Sequence, residues 1–172
     1  KKNNFIVYEK DSEGSYTFKN ALTRDVAYDS ILKSNKSMLH GILADIIEID
    51  YLDNNDQLLF QLANHYGRSD KIDKAKLYLV KGAKQSEETY NLYHANNLYK
   101  RAIQVYTSSD ENLQSIIGGK IKNISDDDAI EFIRILHGYG NVLMLLSEMD
   151  ECQQLFSSII KVSDCLHDVS DL

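Results

Sequence analysis

Two short runs at the start of the chain are patterned like strands, and everything after them is patterned like helices. Residues 5–9 (FIVYE) and 15–18 (SYTF) are β-branched or aromatic, and the polar stretch between them, Lys10 to Gly14, ends in glycine. The pair therefore predicts a β-hairpin. A two-stranded hairpin is marginal in water by itself, so it is expected to lean on the helix that follows or on another domain. From Lys19 the period becomes helical, and Leu22, Val26, Ala27, Ile31 and Leu32 fall on one stripe. Ser34-Asn35 reads as an interruption. Ser37 reads as the N-cap of a second helix that buries Met38, Leu39, Ile42, Leu43, Ile46 and Ile47. A polar loop is expected over Asp50–Asn55, and helices over 56–67, 72–88 and 91–107. The stretch 108–125 carries the breakers Ser108-Ser109-Asp110 and Gly118-Gly119, with room for a short helix at 111–117. A long helix should run from Asp126 to about Ser147, helped by three acids in its first turn. A last helix should run from about Asp150 to Leu166, with the end of the chain fraying.

Inside the helical part a second order of pattern recurs. Ala63 is followed by Tyr66, and twelve residues after Ala63 come Ala75, Leu79 and Gly82. Gly140 is followed by Leu143, and twelve residues after Gly140 come Cys152, Phe156 and Ile159. A partial copy runs Ala83, Ser86, Ala95, Tyr99 and Ala102. Offsets of four and seven lie on one helical face. Small residues there let two helices approach, and large ones fill the gaps beside them. This is the spacing of the tetratricopeptide helix–turn–helix. Cys152 stands in an alanine place, Ile159 in a small place and Ser86 in an aromatic place. The first and partial copies share the helix 72–88, so the array is irregular. The fold class expected is all-α: a tetratricopeptide-like helical array with a small N-terminal β-hairpin, divided into residues 1–50 (hairpin plus two helices) and 51–172 (repeats).

Composition adds constraints. The 172 residues suit one compact domain or a short repeat array. The absence of proline suits long helices. The net charge of −7 is uneven: residues 111–172 hold four basic and eleven acidic side chains, while the rest is balanced. An acidic end without clustered Lys or Arg argues against nucleic acid or an anionic membrane surface as partner. No apolar run approaches the length of a membrane span, and Phe5–Tyr8 is too short for a signal peptide core. Cys152 and Cys165 are thirteen apart with no CxxC, and read as reduced thiols of a cytoplasmic protein. A start at Lys1-Lys2-Asn3-Asn4 reads as a piece of something longer.

The motifs of catalysis are missing from the sequence. There is no GxxxxGK[ST] loop, no GxGxxG, no HExxH and no EF-hand loop. Gly138-Tyr139-Gly140 sits in an apolar helical stripe and reads as close helix packing. Asp126-Asp127-Asp128 point in different directions on a helix, which suits capping rather than a metal. The five histidines have no i,i+3 or i,i+4 partner. Cys152 is a small core residue by its place in the repeat. No catalytic, cofactor or metal residue is therefore expected. Tyr78, Tyr90 and Tyr93 are not needed by the repeat, and with Lys81 (and Lys74, Lys84 and Arg101 nearby) they form a candidate peptide groove.

Residues 16–48 carry a resemblance. Tyr16-Thr17-Phe18, then Ala21-Leu22-Thr23-Arg24-Asp25-Val26-Ala27-Tyr28, Leu39-His40 and Ala44-Asp45-Ile46-Ile47-Glu48 resemble a stretch of large class III nucleotide cyclases of the soluble adenylyl cyclase type and of related P-loop signalling ATPases. Leu62-Ala63-Asn64-His65-Tyr66 and the helix Ala75–Gly82 continue it, so that it covers roughly residues 14–106. The resemblance implies that the hairpin is the wing of a winged-helix part and that the helices open a tetratricopeptide region. The family's metal-binding aspartates and purine-reading residues lie upstream of this stretch, so ATP and Mg are implied only for the parent's upstream domains. It implies a non-catalytic regulatory and protein-interaction segment of an adenylate or guanylate cyclase, with the parent's own ATPase/cyclase domains and an unknown protein as partners. The alternative is a scaffold in a signalling or transcription ATPase without cyclase activity.

Overall fold

The computed structural model describes residues 5–9, 15–52, 58–107 and 126–170. Strands β1 (Ile6–Glu9) and β2 (Ser15–Phe18) pair antiparallel, with Ile6 opposite Phe18 and Tyr8 opposite Tyr16. The Tyr8 and Tyr16 rings lie 5.1 Å apart, and the Lys19 amide donates to the Phe5 carbonyl. The hairpin expected from 5–9 and 15–18 is therefore present. The turn joining its strands lies outside the described residues.

Seven helices follow among the described residues: α1 (Ala21–Asp29), α2 (Lys33–Leu52), α3 (Leu59–Tyr66), α4 (Ile72–Glu88), α5 (Leu92–Thr107), α6 (Asp126–Leu145) and α7 (Met149–Ser170). The chain is thus mainly helical with one small hairpin. From α2 onward each helix packs against the next, and α4 packs between α3 and α5. The proposed short helix at 111–117 and the loop beyond Leu52 fall outside the described residues, as do the side chains of Asp126–Asp128. None of the described helices is long and apolar enough to cross a membrane.

The ends of the helices follow local chemistry. Asn20 caps α1, its Oδ1 accepting from the Leu22 amide at 2.8 Å. α4 and α6 both end in the same six-to-one motif: the Asn91 amide donates to Ser86 O, and the Glu148 amide to Leu143 O. The residue that turns each chain is left-handed, Tyr90 at φ 56° and Ser147 at φ 63°. Glycine is the residue that fits this conformation without strain. Ser147→Gly should therefore stabilise the chain by about 0.5–1 kcal/mol, read as a higher urea midpoint with an unchanged slope.

The core contains the large side chains of α3 to α7: Leu62, Tyr66, Leu79, Leu98, Tyr99, Phe132, Leu136, Tyr139 and Leu143 are all buried. The first two helices depart from the sequence reading. α2 begins at Lys33, four residues before the expected cap, so Ser34, Asn35 and Ser37 lie within its first turns. α1 buries no residue; Leu22, Val26 and Leu32 are 63–70% exposed. On α2, Met38, Leu39, Ile42, Leu43 and Ile46 are also exposed, and only Ile47 of the expected set is partly buried. The reason is on the opposite arc. Gly41 is small enough to let the turn after α3 approach, and Asp45 and Glu48 find donors on that side in Tyr66, Lys71, Lys74 and Tyr78. The boundary drawn at residue 50 falls inside the last turn of α2, a helix that belongs to the stack.

Candidate functional site

The positions marked by the twelve-residue step gather at the seams between helices. Ala63, Tyr66, Ala75, Leu79, Gly82, Ala95, Tyr99, Ala102, Gly140, Leu143 and Cys152 are all buried, and Phe156 and Ile159 are partly buried against the core. A Cβ placed on Gly82 would lie 3.2 Å from the Ala63 Cβ and 3.3 Å from Leu98 Cδ1. A Cβ on Gly140 would lie 2.7 Å from the Phe156 ring, and the Cys152 thiol lies 3.6 Å from the Gly140 carbonyl. The irregular Ser86 is also buried, its hydroxyl donating to Gly82 O. At the α3–α4 turn the Arg101 guanidinium reaches over Gly67 to the Asn64 carbonyl at 3.2 Å, where a side chain on residue 67 would strike it.

The four groove candidates do not converge. Tyr78 is buried against α2, where its ring stacks on Tyr66 at 5.2 Å and its hydroxyl donates to Glu48 at 2.5 Å. Lys81 Nζ lies 5.5 Å from the Tyr78 ring centre. Tyr90, on the turn after α4, and Tyr93, in the first turn of α5, are both exposed. Tyr78 thus serves the core, because its hydroxyl has a carboxylate within reach across the seam. Lys84 instead borders an open cleft of about 440 Å³ with Glu87, Tyr99, Arg134 and His137.

Sequence reasoning passed over a repeated device: a buried tyrosine whose hydroxyl donates to a carboxylate on another helix. Tyr66 donates to Asp45 at 3.0 Å and to Glu48 at 2.7 Å, Tyr99 to Glu87 at 2.9 Å and Tyr139 to Glu151 at 2.6 Å. Burial first, then these carboxylates, raise the ionisation of all three phenols far above the ordinary value, so each remains a donor. Hydrogen bonds to a charged acceptor are stronger than neutral ones. Lys71 pairs with Asp45 and Lys74 with Glu48, while Lys100 lies 3.3 Å from Glu151. The signal was present for α2: Asp45 and Glu48, three residues apart, share one face within the apolar stretch from Ile42 to Ile49.

Glu48 is the most heavily used acceptor. Burial alone would raise its pKa, but hydrogen bonds from Lys74, Tyr78 and Tyr66 outweigh that and hold it at about 2. Its folded value lies below the unfolded 4.5, so the stabilisation is complete above the unfolded value and is lost as pH falls through the folded one. With solvent screening at the rim, the loss is on the order of 2 kcal/mol. Stability measured from pH 5 down to pH 2 should fall for the natural chain, and Glu48→Gln should flatten that slope.

A second polar chain ties α1, α2 and α3. The Tyr28 hydroxyl lies 2.8 Å from His40 Nε2, and His40 Nδ1 lies 2.8 Å from His65 Nδ1. Both contacts are satisfied when Tyr28 donates to Nε2 and the His40 Nδ1–H donates to His65. Burial lowers the pKa of both rings; the other histidine and Arg68 lower His40 further, and Arg68 lowers His65. Among the described residues no group of three or more His, Cys, Asp or Glu is arranged to hold a metal. The chain matches no family model, no curated protein and no solved structure.

Proposed function

We propose that the chain is a tetratricopeptide-like, non-catalytic protein-interaction scaffold, and that it is the regulatory arm of a cytoplasmic multidomain adenylate or guanylate cyclase with a P-loop ATPase module. The observation that supports the scaffold reading is that small residues of the twelve-residue step stand where helices approach closely at separate seams. Gly82 meets Ala63 between α3 and α4, and Gly140 meets Phe156 and Cys152 between α6 and α7. Small residues at these offsets are what a stacked helix-pair array needs.

The regulatory reading rests on the motif resemblance of residues 14–106. The hairpin and α1 fit it, because Phe5, Tyr16, Leu22 and Val26 hold large apolar surface open, as a module that docks on a neighbouring domain does. In this mechanism the hairpin and α1 contact the parent's ATPase and cyclase domains, while the stack binds a protein and transmits its presence as a rigid body. Nucleotide and Mg are bound only by the parent's other domains.

Reading the native transcript upstream of Lys1 tests this. A P-loop preceded by cyclase aspartates is the expected result. A P-loop without them leaves a scaffold of a signalling ATPase, and no P-loop overturns the regulatory reading.

A further inference from the structure

Four basic side chains stand around the turn that ends α3, and no carboxylate pairs with them. Arg101 crosses from α5 over Gly67, one guanidinium nitrogen donating to the Asn64 carbonyl at 3.2 Å. His65 follows Asn64 and touches His40 of α2, Nδ1 to Nδ1 at 2.8 Å. Arg68 stands one residue beyond Gly67, its amide donating to the His65 carbonyl at 3.1 Å. The groups act on one another. Burial and then Arg68 lower the pKa of Arg101; burial, then His65, Arg68 and Arg101, lower that of His40; burial and then Arg68 lower that of His65. No carboxylate is among the groups that act on these three. The acids nearby are engaged elsewhere: Asp45 with Lys71, Glu48 with Lys74 and Asp29 with Lys36. Asp70 faces Gly41 and makes no ion pair with either arginine.

We propose that Arg68, Arg101, His40 and His65 form an oxyanion site at the junction of α2, α3 and α5, and that it takes a phosphate monoester. Helix capping accounts for only part of the cluster. A guanidinium at the C-terminal end of α3 satisfies the Asn64 carbonyl and suits the helix dipole, but this uses one of several donors on Arg101. The Arg68 side chain is exposed and has no hydrogen bond or ion pair among the described residues, so no internal contact accounts for it. When Tyr28 donates to His40 Nε2 and the His40 Nδ1–H donates to His65 Nδ1, the proton of an uncharged His65 stands on Nε2. That nitrogen has no partner among the described residues. The site thus offers two guanidinium forks and an imidazole N–H. Charge selects the ligand. Two permanent cations exceed what one carboxylate neutralises, whereas a phosphate monoester carries about −2 at neutral pH and presents three acceptor oxygens. The planar fork of arginine matches the phosphate edge. A dianion seated there supplies the missing counter-charge between two guanidiniums that otherwise repel each other. The site does not depend on the cyclase reading.

The test is an NMR titration of the 172-residue chain that follows the imidazole resonances of His40 and His65. The probes are inorganic phosphate and a short peptide carrying phosphoserine, with the same peptide carrying serine or glutamate as controls. Ionic strength is held constant, because unspecific charge effects are screened by salt. Saturable shifts are expected with both phosphates and none with the serine peptide, and the glutamate peptide should bind at least about ten-fold more weakly than the phosphoserine peptide. Tighter binding of the phosphopeptide assigns the site to protein-borne phosphate; equal or tighter binding of inorganic phosphate assigns it to a small free phosphate compound. Arg68→Gln should weaken phosphate binding by about ten-fold with circular dichroism unchanged, since the Arg68 side chain makes no contact on which folding depends. The absence of any saturable shift overturns the proposal. So do a glutamate peptide that binds as tightly as the phosphopeptide, and an Arg68→Gln chain that binds phosphate as the natural one does.

Discussion

Tyr66→Ala should cost about 3–5 kcal/mol, the range for deleting a fully buried aromatic ring, and should lower the thermal midpoint by about 10 °C in a chain of this size. Tyr66 has no exposed surface, and three elements depend on it. It is the last residue of α3. Its ring stacks on Tyr78 of α4, 11° from parallel. Its hydroxyl donates to Asp45 and Glu48 of α2. Removing the ring leaves a cavity at the junction of three helices and takes a donor from two carboxylates. Tyr66→Phe separates the two contributions, because it keeps the ring and loses about 1.5–3 kcal/mol of charged hydrogen bonding. Urea titrations followed by circular dichroism measure both. Equal losses for Ala and Phe would mean that the ring contributes nothing and that the junction is not packed as described.

Gly138→Leu should cost about 1–3 kcal/mol or more, the range for overfilling a packed core. A Cβ at position 138 would lie 2.5 Å from the Tyr99 hydroxyl and 2.9 Å from Cζ. Tyr99 cannot swing clear, because it is buried and its hydroxyl is held by Glu87. The sign is the informative part. On an open helix face, replacing glycine stabilises by roughly 0.5–1 kcal/mol through backbone entropy, whereas here even Gly138→Ala should destabilise. In a Tyr99→Leu background the penalty should shrink, since contacting residues show coupling of about 0.5–3 kcal/mol. Thermal denaturation of the four chains checks this.

How far the sequence led depends on the kind of contact. The hairpin, helices α4 and α5, and the buried small and large residues of the twelve-residue step were legible, because each needs only local period and spacing. Gly140, Cys152 and Phe156 are near in sequence and meet at one seam. α2 was legible as a helix and illegible in its orientation. An apolar arc containing Ile42, Leu43 and Ile46 reads as core, and an arc with Asp45 and Glu48 reads as surface. The reverse holds because the donors for those carboxylates, Tyr66, Lys71, Lys74 and Tyr78, arrive from α3, α4 and the turn between them. Spacing within one helix carries no record of that. Tyr78 was misplaced for the same reason: as a groove residue it looked free of the repeat, but its acceptor lies 30 residues upstream. The His40–His65 contact, 25 residues apart, is likewise a product of tertiary packing.

The repeat register is the claim on which the scaffold reading stands, and one double-mutant cycle tests it directly. Gly82→Val, Ala63→Gly and the double variant should be compared by urea denaturation. Because the Gly82 and Ala63 faces meet at 3.2 Å, opening space at Ala63 should relieve the Gly82→Val penalty, with a coupling of at least about 1 kcal/mol. Additivity within about 0.3–0.5 kcal/mol, as for distant sites, would mean that the two positions do not share a seam and would contradict the stacked helix pair.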